Sequence, residues 1–85
     1  MVQKTVIIKA EAGIHARPAS LLVQKATSFP CDLTLQKGEK SVNLKSIMGV
    51  MSLGIRQGDE VRVTANGNGE EEALETIIKM IEEMR

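Results

Sequence analysis

Residues 16–44, ARPASLLVQKATSFPCDLTLQKGEKSVNL, change their hydrophobic period midway, and that change decides the fold class. In the first half Ala19, Leu22, Val23 and Ala26 fall at i, i+3, i+4 and i+7, one stripe of an amphipathic helix that Pro30 stops. In the second half Leu33 and Leu35 alternate with polar residues, Lys37-Gly38-Glu39 reads as a turn, and the chain returns through Val42 and Leu44. That is a β-hairpin. A helix with a single apolar stripe, followed at once by alternating strands, predicts helices laid on one face of an antiparallel sheet.

The flanks repeat both patterns. In KTVIIKA, residues 4–10, Val6, Ile8 and Ala10 share one side and Thr5, Ile7 and Lys9 the other, so residues 2–8 read as a strand. SIMGVMSLG, residues 46–54, is one to two helical turns, with Ser46 suited to the N-cap and Gly54 to the position after the C-cap. DEVRVTA, residues 59–65, alternates through Val61, Val63 and Ala65 after a turn at Gly58-Asp59, and NGNG is a loop. The closing EEEALETIIKMIEEMR places Leu74, Ile77, Ile78 and Ile81 on one stripe, with an acidic first turn and Arg85 at the end, the polarity a helix dipole favours. The order is β-α-β-β-α-β-α without linker or repeat. Residues 1–85 therefore read as a single α+β domain of two layers.

Composition narrows the function classes. The 85 residues carry 11 basic and 11 acidic side chains, a net charge of zero, and one aromatic residue, Phe29. No basic footprint or base-stacking platform for nucleic acid results. No apolar run nears the roughly 20 residues of a membrane span, and the first residues lack the long apolar stretch of a signal peptide. Cys31 stands alone, which suits a reducing compartment and predicts a cytoplasmic protein.

The only histidine lies in AGIHARPAS, residues 12–20. Proline is tolerated in a first helical turn, so Pro18 sets the helix start at His15 or Ala16 and leaves the N–H groups of Ala16 and Arg17 as unpaired donors. Such a terminus accepts anions, and the Arg17 guanidinium suits phosphate oxygens. The positive end of the helix dipole disfavours imidazolium, and neutral imidazole carries a nucleophilic lone pair. Gly13 permits close backbone approach in the preceding loop. The arrangement fits an imidazole that attacks phosphorus to form a labile phosphoramidate. Spacing alone favours the plainer reading, a histidine that merely caps a helix beside a solvated arginine.

GIHARPAS and the later VNLKSIMGVMSLGI together resemble the HPr family, the histidine-containing phosphocarriers of the bacterial sugar phosphotransferase system, in register over the whole chain. The resemblance implies an open-faced two-layer sandwich of four strands ordered 1-4-2-3, with three helices on one face. It implies that His15 accepts phosphate on Nδ1 from enzyme I, charged by phosphoenolpyruvate, and donates it to IIA domains of sugar permeases. Arg17 would steady the phosphoryl group, and Ala16, Pro18 and Ser20 would lie in or beside the docking face. Residue 12, often polar in the family, is Ala12 here, so any side-chain hydrogen bond from that position is missing. Such a protein is a carrier and a substrate of other enzymes, not an enzyme. No cofactor or metal is implied, and a monomer is the simplest state for a carrier with a transient docking face.

Ser46 is explained well enough as a plain N-cap. The resemblance adds a regulatory role: phosphorylation of this serine by HPr kinase/phosphorylase yields a corepressor of a catabolite control protein. The two roles are compatible, because a phosphoserine at a helix N-terminus suits its own helix. Lys45 would partly offset the added charge. Ile47, Met48, Val50, Met51 and Leu53 cannot all turn inward from so short a helix, so some should form an exposed apolar patch, although sequence alone leaves equal room for residues that simply fill a small core. The resemblance puts Ile47, Met48 and Met51 on the partner-facing side near His15.

Other candidates fail on inventory. Cys31 has no second cysteine for a metal or redox pair. NGNG is not a phosphate loop, since no Gly-Lys-Ser/Thr follows it. Ser20 and Ser52 lack a base partner. Two rivals stand beside the carrier: a purely regulatory paralogue acting through Ser46, whose known representatives replace the histidine, and a small binding domain of βαββαβ type.

Overall fold

The computed structural model describes residues 1–84. Its elements are β1 (Val2–Ile7), α1 (Ala16–Thr27), β2 (Asp32–Lys37), β3 (Lys40–Asn43), α2 (Ile47–Ser52), β4 (Glu60–Asn66) and α3 (Glu70–Glu83). The strands form one antiparallel sheet in the order β1-β4-β2-β3. β4, the last strand in sequence, thus lies between β1 and β2, with Val2 opposite Ala65 on one side and Leu33 opposite Ala65 on the other.

Alternation sends Val6, Leu33, Leu35, Val61, Val63 and Ala65 into the core, while Thr5, Ile7 and Arg62 stay exposed on the other side. Burying one face of a pleated sheet requires this period of two. The helices complete the layer: Ala19, Leu22 and Ala26 of α1, Val50 of α2, and Ala73, Ile77, Ile78 and Ile81 of α3 join the same apolar cluster. The expected strand over residues 2–8 ends at Ile7. Ile8 is buried, and its N–H leaves the ladder to reach Asp59 O at 2.9 Å.

On α3 the stripe begins one residue earlier than its large side chains suggest, because Ala73 is fully buried and Leu74 only half-buried. Arg85, expected to close that helix with a positive charge, lies outside the described residues. The β2–β3 hairpin turns at Gly38-Glu39, where Gly38 adopts φ +61°, and Lys37 pairs with Lys40 across it. No helix among the described residues is long and apolar enough to cross a membrane.

Candidate functional site

His15 is the N-cap of α1. Its backbone is extended (φ −97°, ψ −166°), and its carbonyl accepts the first helical bond from the Ala19 N–H at 3.0 Å. The imidazole is exposed and makes no capping hydrogen bond. The backbone therefore caps the helix while the ring stays uncommitted. Pro18 occupies the first turn, where its missing N–H costs no bond. Among the described residues, no backbone acceptor takes the N–H of Ala16 or Arg17. His15, Ala16 and Arg17 are all exposed, so two free donors, a guanidinium and a ring share one helix start. With Gly13, Pro18, Leu21 and Met84, His15 and Arg17 border an open hollow of about 280 Å³.

The loop that delivers His15 is seated from both ends. Gly13 takes φ +68° and donates to Ala10 O at 3.0 Å, closing a tight turn. A Cβ on Gly13 would lie 2.3 Å from Ile55 O and 2.8 Å from Arg56 Cα, so only glycine fits. Ile14 N–H donates to Ile55 O at 3.2 Å, and at the far end of the loop Gly58 N–H donates to Ile8 O at 2.8 Å. Residues 55–59 form the platform.

Asp59 folds that platform. Its Oδ2 accepts the Arg56 N–H at 2.8 Å and lies 2.9 Å from Lys37 Nζ, which also donates to Gly54 O at 2.9 Å. The Lys37 hydrogen bond, then that of Arg56, holds the Asp59 carboxyl below its ordinary value. Sequence reasoning found the Gly58-Asp59 turn but missed both Asp59 as its organiser and Lys37. The signal was a turn aspartate able to bond a nearby backbone N–H; nothing in the chain marks which one.

Ser46 is the N-cap of α2 as its residue type suggested: its Oγ accepts the Gly49 N–H at 3.1 Å, and its carbonyl accepts from Val50 at 3.0 Å. Gly54, at φ +60°, closes the helix with its N–H on Met51 O. Lys45, next to Ser46, donates from Nζ to Phe29 O at 2.8 Å, just past the end of α1.

Val50 and Leu53 are buried, whereas Ile47, Met51 and above all Met48, 80% exposed, face outward. Leu21 on α1, the helix against which α2 packs, is 53% exposed and was not singled out from sequence because it lies off the apolar stripe. Ser20 is exposed on the same helix and Pro18 half-buried. Ala12 is exposed but offers no polar side-chain atom. Among the described residues no three of His, Cys, Asp and Glu converge as a metal site, and Cys31 is buried.

Comparison with known proteins converges on one family. The family model described as the PTS HPr component phosphorylation site matches residues 2–83. HPr from Thermoanaerobacter tengcongensis is 48% identical, over 96% of this chain and 92% of that one, with a TM-score of 0.93. A phosphocarrier protein HPr from Bacillus anthracis is 45% identical over 94% and 95%, with a TM-score of 0.90. Crh, the catabolite repression HPr of Bacillus subtilis, is 45% identical over 99% and 100%, with a TM-score of 0.74. With its βαββαβα order and its sheet ordered 1-4-2-3, this chain belongs to the HPr family, whose members are phosphocarriers and not enzymes.

Proposed function

We propose that this protein carries a phosphoryl group on Nδ1 of His15, taking it from phospho-enzyme I and passing it to IIA domains of sugar permeases in the cytoplasm. The observation that carries the reading is the uncommitted His15 ring beside the unpaired N–H groups of Ala16 and Arg17. The lone pair of Nδ1 attacks phosphorus and an N–P bond forms as the donor's bond breaks. The two N–H groups and the Arg17 guanidinium offset the charge on the phosphoryl oxygens. Ala12 adds nothing, so the backbone donors and Arg17 act alone. A single nitrogen that receives and releases the same group makes a carrier.

Partners dock on Ala16, Ser20, Ile47, Met48 and Met51, where methionines adapt to several surfaces. Ser46 is the regulatory site, phosphorylated by HPr kinase/phosphorylase, and the product binds a catabolite control protein. The protein acts as a monomer. Similarity to Crh favours a second reading, regulation through Ser46 alone. Retention of His15 supports the carrier instead.

Incubation with phosphoenolpyruvate and enzyme I, followed by intact-mass measurement and acid treatment, tests the choice. The carrier gains one acid-labile phosphate and His15→Ala gains none. A wild-type chain that takes up no phosphate, or a His15→Ala chain that still does, overturns the carrier reading.

A further inference from the structure

The loop between β4 and α3 holds two Asn-Gly pairs, Asn66-Gly67 and Asn68-Gly69, and the fold treats them unequally. An asparagine followed by glycine is chemically vulnerable, because no Cβ shields the next backbone nitrogen from the asparagine side chain. In the first pair Asn66 ends β4 and pairs with Asp32, so its backbone is held extended. The Gly67 N–H donates to Glu70 Oε1 at 2.9 Å. Gly67 also lies against Cys31, whose Cα and Cβ would stand 3.4 Å from a Cβ placed there. In the second pair Asn68 is exposed and outside any element, and a Cβ on Gly69 would meet nothing within 4 Å. Among the described residues, the Gly69 N–H has no acceptor.

We infer that Asn68 is a site of spontaneous deamidation in the folded protein, and that Asn66 is protected. The Gly69 nitrogen, losing its proton, attacks Asn68 Cγ. A new C–N bond closes a succinimide, and the amide C–N bond breaks to release ammonia, which carries the proton away. Water then opens the ring at either carbonyl, giving aspartate or isoaspartate at position 68. No oxidant or reductant takes part. Ring closure at Asn66 would instead require the strand end to rotate, the Gly67 N–H to leave the Glu70 carboxylate, and Gly67 to move off Cys31.

The product carries one more negative charge beside the start of α3. His15 lies past the opposite end of β1, because Val2 pairs with Ala65 and Ile7 with Glu60. The modified chain is thus a charge variant whose histidine chemistry is unaltered.

The intact protein is aged in mildly alkaline buffer, folded and in parallel in denaturing urea. Peptide mass mapping then scores the gain from exchanging the amide NH2 for OH, and isoaspartate is assayed. Folded, Asn68 should react at least about tenfold faster than Asn66, the effect of freeing one donor from a charged acceptor; unfolded, the two should react at similar rates. Glu70→Gln should raise the rate at Asn66 and leave Asn68 unchanged. Equal rates in the folded chain, a faster Asn66, or a silent Asn68 while the unfolded control reacts overturns the inference.

Discussion

Gly13 and Ile55 are packed backbone to backbone: a Cβ on Gly13 would lie 2.3 Å from Ile55 O, and the next residue, Ile14, donates its N–H to that same oxygen. No side chain can yield to relieve this contact, since the atoms met are main chain. Gly13→Ala must therefore shift the loop that presents His15, and it also strains φ +68°. The substitution should cost about 1–3 kcal/mol of stability, measured by denaturant unfolding. His15 phosphorylation by enzyme I should slow as well. Wild-type stability together with a wild-type rate would show that the platform does not set the loop.

Arg17 is exposed and forms no ion pair among the described residues, so its loss should barely touch the fold. Losing a charge-assisted contact to a phosphoryl group costs about 1.5–3 kcal/mol, whereas exposed substitutions stay within about 0.5 kcal/mol. Arg17→Ala should slow phosphoryl transfer by about tenfold or more, with little change in Tm. Stopped transfer assays and calorimetry on one preparation separate the two effects. Transfer at the wild-type rate would leave Arg17 without a part in the chemistry.

Ser46 caps α2 through its Oγ, which any replacement must preserve or forfeit. Ser46→Ala should lose about 1 kcal/mol. Ser46→Asp keeps an acceptor and adds a negative charge at the positive end of the helix, so it should hold or slightly raise Tm. That charge sits on α2 beside the exposed Ile47 and Met48, where partners must desolvate, and should reduce the rate at which His15 is phosphorylated. An Asp variant that loses its fold refutes the cap. One phosphorylated at an unchanged rate shows that the two positions do not share a docking face.

Asp59 and Glu70 both have carboxyls held below their ordinary values, Asp59 by Lys37 and the Arg56 N–H, Glu70 by the Gly67 N–H and the amino terminus. A depressed carboxyl binds protons more weakly in the folded chain than in the unfolded one. Its contribution is complete above the unfolded value and fades as pH falls through the folded one. Thermal stability should thus decline below about pH 4. Asp59→Asn should flatten that decline and lower Tm at neutral pH, where the ion pair with Lys37 is intact in the wild type. A variant with an unchanged acid slope would remove Asp59 from the account.

Local structure was legible where one residue type had one reason to be there. Pro18 located the start of α1, Ser46 and Gly54 bracketed α2, and strand alternation separated core from surface at Val61, Val63 and Ala65. Strand order was not written in that alternation, because any of several neighbours satisfies an inward row of valines; the 1-4-2-3 arrangement came from family resemblance. Side-chain direction was also illegible. Lys45 adjoins Ser46 in sequence, yet its four-carbon stem reaches the carbonyl of Phe29. The contribution of Asp59 depends on Arg56, Lys37 and Gly54 meeting through the tertiary fold, which no local pattern encodes.

Because β4 sits between β1 and β2, the order of synthesis and the order of assembly differ. β1 is made before the other strands, but its strand partner among the described residues, β4, is the last strand made. Until Glu60–Asn66 is available, Val6 and Ile7 have no ladder to join, and the carbonyl of Ile55 that receives Ile14 is itself unplaced. Pairings between residues so distant in the chain are slow, since loop closure must be met before contacts compensate it. A nascent chain halted before β4 would expose its histidine on an unshaped loop, so competence at His15 arises only once residues 60–66 have been made.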